Sequence, residues 1–163
     1  MLEDINGLIT KHEIHDWDLI LVGDGSGNCW AGPVGYACFL YEKNNETPIK
    51  KFVGGANVGT INFAELMPYI AALRWYNECK RKTDNPVNVY ILTDSKISAD
   101  CGNRIAKRNK NGDMWASLDW FEDQGYCIQW IHINRNACEA HTIADQLASG
   151  GREFCRELDK STE

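Results

Sequence analysis

At 163 residues with 44% hydrophobic content, the chain is long enough for one domain with a well-filled core, and its apolar runs fall short of the roughly 20 residues a bilayer span needs. A net charge of -6 argues against a protein that holds nucleic acid by bulk electrostatics alone, although two divalent cations on clustered acids would change -6 by +4, to about -2. Seven cysteines, an odd number without a CxxC pair, read as free thiols, and the polar N-terminus is no signal peptide, so the expectation is a cytoplasmic monomer.

Residues 1–16 form a polar extension with weak structural signals and no readable role, ahead of a single domain over 17–163. His12 and His15 lie three apart in it, too little to assign a metal site. The stretch Leu19–Tyr41, LILVGDGSGNCWAGPVGYACFLY, predicts a β-hairpin: two apolar runs flank a glycine-rich turn, with one acid, Asp24, stranded at the end of the first run. A carboxylate in a core-facing strand is costly without a partner, and a metal ion is the natural partner for a group of them. A third short strand around Ile49–Gly54 completes an antiparallel meander.

From Asn62 to about Lys82 the apolar residues recur at helical spacing, with Thr60 or Asn62 as cap and Asn62 and Glu65 spaced as in a capping box. Pro68 means that this helix either starts later or is kinked there. After Asp84-Asn85-Pro86, VNVYILTDS reads as a buried strand ending in Asp94-Ser95. A short helix from Ser95, a basic loop, a helix capped by Asp113, the strand YCIQWIHI and a last helix bearing Ile143, Asp145, Leu147 and Phe154 follow. Strands first in a meander and then alternating with helices predict an α/β class, a five-stranded mixed sheet flanked by helices.

Asp24, Glu65, Asp94 and Asp145 stand out because each lies in or at the end of an apolar stretch. The order and setting of these acids resemble the ribonuclease H family, type 1, over about residues 18–150. The motifs are Asp24-Gly25-Ser26 with the turn Gly32-Pro33, Asn62 with Glu65-Leu66, Thr93-Asp94-Ser95, and Asp145-Gln146-Leu147-Ala148. Trp115 and Trp130 also resemble family core positions. The resemblance implies a metal-dependent endonuclease that cleaves the RNA strand of RNA/DNA hybrids, with the four acids as catalytic residues and ligands of two Mg²⁺ or Mn²⁺ ions. Carboxylate oxygens suit these hard cations, and a pair of them can activate water and stabilise a leaving oxygen. A related nuclease acting on DNA junctions or structured RNA is the alternative, and a catalytically silent nucleic-acid-binding module the third reading.

Gly25, Ser26, Asn28, Asn62, Ser95 and Lys96, next to the acids in sequence, are expected to contact the RNA strand, where a 2′-hydroxyl distinguishes RNA from DNA. Family members often carry a histidine in the loop before the last helix. Counting from Trp130, Asn136 stands at that position, as a substrate contact that cannot titrate. His141, one turn before Asp145, is expected on the helix surface, with an accessory role in place of the missing histidine as the alternative. Asp94 and Trp115 lie 21 residues apart, too close for the family's extra basic helix, so Arg104, Lys107, Arg108 and Lys110 are expected to supply part of that grip. Removing the charge of Asp94 is expected to relieve repulsion and raise heat stability.

Overall fold

In the computed structural model, which describes residues 2–28 and 30–161 with the side chains of 2–4 and 158–161 excepted, five strands form one sheet in the order β3-β2-β1-β4-β5. β1 (Leu19–Ser26), β2 (Gly32–Glu42) and β3 (Lys50–Gly59) run antiparallel, and β4 (Val87–Thr93) and β5 (Tyr126–His132) join β1 in parallel. The mixed sheet is the one the pattern of elements predicts. β3 runs five residues past the expected end because its glycine-rich tail still pairs with β2, as in Tyr36 with Gly54 and Gly32 with Gly59.

Strand alternation divides the core into two layers. Leu19 and Leu21 face α2 (Ile61–Trp75) and α4 (Gly112–Asp123), in a cluster with Leu66, Ile70, Phe121 and the pair Trp115 and Trp130, whose ring centres lie 5.5 Å apart with the planes tilted by 56°. Ile20, Val22 and Leu92 face the other way, toward α1 (Leu2–Lys11) and α5 (Glu139–Ser161). On α5 the small residues Ala140, Ala144 and Ala148 are fully buried, so the helix lies close on the sheet. A Cβ on Gly35 would strike the Ala148 carbonyl and the Arg152 amide, which shows how tightly β2 meets α5. Phe154, expected inward on this helix, is exposed.

The capping of α2 falls to Thr60, whose Oγ1 accepts from the Phe63 amide at 3.3 Å. The Asn62–Glu65 capping box does not form. Pro68 is inside the helix and buried. It has no amide hydrogen to give the Ala64 carbonyl four residues back, and a Cβ on Gly25 would strike that carbonyl. Gly25 therefore lets α2 close on β1 where the helix has lost a hydrogen bond. On α4 the cap position is Asn111, in a left-handed conformation with φ 59°, and Asp113 lies in the first turn instead.

The polar extension contains structure that its sequence hardly signals. Residues 2–11 are helical, and Ile5, Leu8 and Ile14 are buried in the α5 layer. Only a few apolar residues mark the helix, and their burial depends on the groove that α5 and the sheet present. Replacing Ile5, fully buried, by Ala is expected to cost about 2–4 kcal/mol in chemical denaturation. A cost under about 0.5 kcal/mol, as for a surface substitution, would mean that α1 is not part of the cooperative unit.

Candidate metal centre

The pairing that builds the sheet also builds the site. β1 and β4 are parallel with Val22 opposite Leu92, and both side chains face α5. Two residues further on, the alternation brings Asp24 and Asp94 to the same face at the carboxyl ends of adjacent strands, where ligands bind in open α/β sheets. α5 supplies Asp145 above them, and α2 supplies Glu65 from across the sheet. All four acids line one open pocket with Gly25, Ser26, Gly27, Ile61, Arg135 and Ser149. The Gly25 amide donates to Asp24 Oδ1 at 2.9 Å and fixes that carboxylate.

The electrostatics are those of acids short of positive charge. Burial, then the charge of Asp94, then a contact with Asp145, push Asp24 up to about 7. Burial pushes Glu65 up to about 9, with Asp24, Asp94 and Asp145 adding to it, and its Oε2 is buried with no hydrogen-bond partner among the described residues. Asp94 moves the other way: the His141 imidazole beside it holds it below the usual carboxylate range. Arg135 donates to Asp145 Oδ2 at 3.1 Å. Clustered carboxylate oxygens, one of them without a partner among the described residues and two raised first by burial and then by the charge of neighbouring aspartates, fit a hard divalent cation.

His141 is not on the helix surface. It is fully buried, with Nε2 at 3.8 Å from Asp94 Oδ2 and 4.0 Å from Asp24 Oδ2, and this trio could offer atoms to one ion within 4.8 Å of one another. Burial works against a charge on the ring, but the contact with Asp94 and the charges of Asp24, Asp94 and Asp145 outweigh it and raise the His141 pKa. Asn136 is exposed and outside the pocket. Its amide donates to His141 Nδ1 at 3.2 Å, and its Oδ1 accepts from the Thr142 hydroxyl at 3.3 Å.

The other expected contacts divide. Gly25 and Ser26 line the pocket, and the Asn28 carbonyl accepts from the Ile61 amide at 2.8 Å, tying the hairpin turn to the start of α2. Ser95 caps α3 (Lys96–Gly102) through the Ser98 amide at 3.2 Å, and Lys96 pairs with Asp100 at 2.6 Å. Asn62 borders a second groove beside the carboxylates, with Ile97, Lys107, Asn109, Lys110, Asn111 and Trp115. Of the expected cations there, Arg108 is committed to structure, 4.4 Å over the Trp115 ring, bonded to the Cys101 carbonyl and paired with Asp119 at 2.8 Å. Arg104 pairs with Asp119 at 3.0 Å. Among the described residues, Lys107 and Lys110 have no ion-pair partner. The residue that sequence reasoning missed is Arg135. Its neighbour Asn136 drew attention through the family motif, and nothing local says which of the two side chains turns inward.

In the cation-free protein, Asp24 and Glu65 keep their protons up to about pH 7 and 9, whereas an unfolded chain releases them near pH 4. The folded state binds more protons across that window, so their contribution to stability falls as pH rises from about 4 to 9. Asp94, held low, contributes stability that is lost only as pH falls below about 4. With chelator present, the melting temperature should therefore decline between about pH 5 and 9, and Mg²⁺ should restore more at the upper end. Glu65→Gln should raise the cation-free melting temperature and flatten that decline. Asp94→Asn is expected to act in the same direction, since the Asp94 charge raises both Asp24 and Glu65, but it also gives up the contact with His141. A flat profile for the parent protein would contradict the clustering.

No family model and no curated protein matches the sequence. Solved structures do match. The N-terminal RNase H domain of a Mycobacterium tuberculosis protein superposes with a TM-score of 0.72 at 19% identity, covering 86% of this chain and 97% of that one. LC11-RNase H1, solved in complex with an RNA/DNA hybrid, gives 0.68 at 18% identity over 83% of this chain and 97% of its own. RNase H1 from the halophilic archaeon Halobacterium salinarum gives 0.64 at 18% identity over 83% and 98%. Likeness this broad at identities this low is a likeness of architecture: the chain has the ribonuclease H fold.

Proposed function

We propose that the protein is a metal-dependent endonuclease that hydrolyses the RNA strand of RNA/DNA hybrids, using two divalent cations, Mg²⁺ or Mn²⁺. The observation that carries this reading is the convergence of Asp24, Glu65, Asp94 and Asp145 from four separate elements into one pocket, with Glu65 Oε2 buried and without a hydrogen-bond partner among the described residues. Surface ion pairs or caps would not gather four acids against their own repulsion. The fold shared with RNase H structures, one of them solved on a hybrid, supports the substrate class.

Asp24 and Asp94, on adjacent strands, would hold the cations most rigidly, with Glu65 and Asp145 completing the ligand set. When bound, such ions supply the Lewis acidity that activates water and stabilises the leaving oxygen of a phosphodiester. The chain's own groups do the rest. Gly25, Ser26 and Gly27 floor the pocket, and small residues let a nucleic-acid backbone come close. Arg135, exposed at the mouth, presents a guanidinium suited to a phosphate. Asn62, Lys107 and Lys110 border the adjacent groove, where the second strand would run. No side chain at position 136 can carry a proton.

Asp94→Asn should remove nearly all cleavage of a matched hybrid while leaving the circular dichroism spectrum unchanged. Assays on hybrid, double-stranded RNA and double-stranded DNA under Mg²⁺ and Mn²⁺ test the substrate. Equal cleavage of double-stranded DNA would replace this reading with a general nuclease, and an active Asp94→Asn protein would remove the metal site. With Lys107 and Lys110 both changed to Ala, hybrid binding should weaken and its log–log salt slope should fall by about 2, roughly one for each phosphate no longer neutralised. An unchanged slope would mean that the groove carries no strand.

A further inference from the structure

His141 has one ring nitrogen already committed and one aimed at the site. Nδ1 accepts the Asn136 amide hydrogen at 3.2 Å. A neutral imidazole carries one hydrogen, so with Nδ1 as acceptor that hydrogen is on Nε2. Nε2 is fully buried, has no hydrogen-bond partner among the described residues, and has the Oδ2 atoms of Asp94 and Asp24 in front of it at 3.8 and 4.0 Å. An adjustment of under about 1 Å brings either into hydrogen-bond range.

We infer that His141 is a positioning residue: its Nε2–H, with the tautomer set by the Asn136 amide, is the donor that orients the Asp24 and Asp94 carboxylates toward the cation they share. The inference rests on reading those acids as cation ligands, and it excludes two other roles on the same geometry. A nitrogen that carries the ring hydrogen cannot coordinate an ion, so the trio Asp24, Asp94 and His141 is not a mixed ligand set. A ring whose Nδ1 is taken and whose Nε2 is sealed among protein atoms cannot exchange protons with substrate, so His141 does not replace a loop histidine. The loop is built for the tether. Asn136 holds a left-handed conformation, φ 59°, which Asn tolerates better than most residues, and the Thr142 hydroxyl donates to its side chain. An Asn at this position therefore acts through its backbone, as the clamp on His141.

The direct test is the ¹⁵N spectrum of the His141 ring in the unaltered, Mg²⁺-saturated protein, where Nε2 should be protonated and Nδ1 not. The reverse, with Nε2 shifted by the ion, would make His141 a ligand and overturn the inference. Mg²⁺ calorimetry without substrate gives the second readout. His141→Leu should weaken Mg²⁺ binding tenfold or more, the range for losing a group that orients a ligand. His141→Gln, which places an N–H where Nε2 was, should stay within about threefold of the parent, and the pH profile of cleavage should keep its shape. Equal loss in both variants, or no loss in either, would also overturn it. If His141→Leu fails to fold, the glutamine variant and the spectrum still decide. A parent with the Nε2–H tautomer and Mg²⁺ affinity but no nuclease activity would end the nuclease reading and leave this one standing.

Discussion

Repulsion among four carboxylates in one pocket is the constraint on which the rest of this structure depends. No single element could hold them. A strand separates same-face neighbours by two residues and a helix turn by three or four, so one element would present its acids in a line and not around a point. The fold instead draws one acid from each of four elements, β1, α2, the end of β4 and α5, and each is anchored by packing remote from the charge. The parallel pairing of β1 with β4 does most of this, because a register already fixed by Val22 and Leu92 leaves the two aspartates no other place.

The helices must then come close enough to bring their acids in. For α5 the requirement is met by Ala140, Ala144 and Ala148 on the helix and Gly35 on the strand beneath. For α2 it is met by Gly25 beside Asp24, in the motif Asp24-Gly25-Ser26, where the missing Cβ admits the Ala64 backbone and with it Glu65. Pro68 leaves the Ala64 carbonyl, which lies at this close approach, without its helical hydrogen bond. A residue unfavourable for an isolated helix is thus compatible with this one, since the tertiary contact and not helix propensity determines where α2 lies.

Charge outside the pocket is arranged with the same economy. The basic segment around residues 103–111 looks in sequence like a four-cation surface, but Arg104 and Arg108 turn back onto Asp119 and the Trp115 face, stiffening a loop that has no regular structure of its own. That leaves Lys107 and Lys110 facing the groove. Positive charge at the mouth comes from Arg135, on the loop that also clamps His141, so one short segment both neutralises Asp145 and orients the strand acids.

Much of this was legible in the chain. Apolar runs that stop at Asp24 and Asp94, the glycine-rich turn and the helical spacing around Glu65 and Asp145 are local patterns, set by burial and backbone preference within a dozen residues, and they led to the mixed sheet and the four acids. What could not be read was every feature decided by a distant partner. Ile5 and Leu8 are too few to announce a helix until α5 and the sheet offer them a groove. Thr60 rather than Asn62 caps α2 because the carbonyl of Asn28 takes the Ile61 amide. His141 shares Asp145's face by its spacing of four, but whether that face meets solvent or the sheet follows from the alanine stripe beside it and from how close β2 lets α5 approach. Periodicity in sequence reports which residues share a face; only long-range packing determines what that face touches.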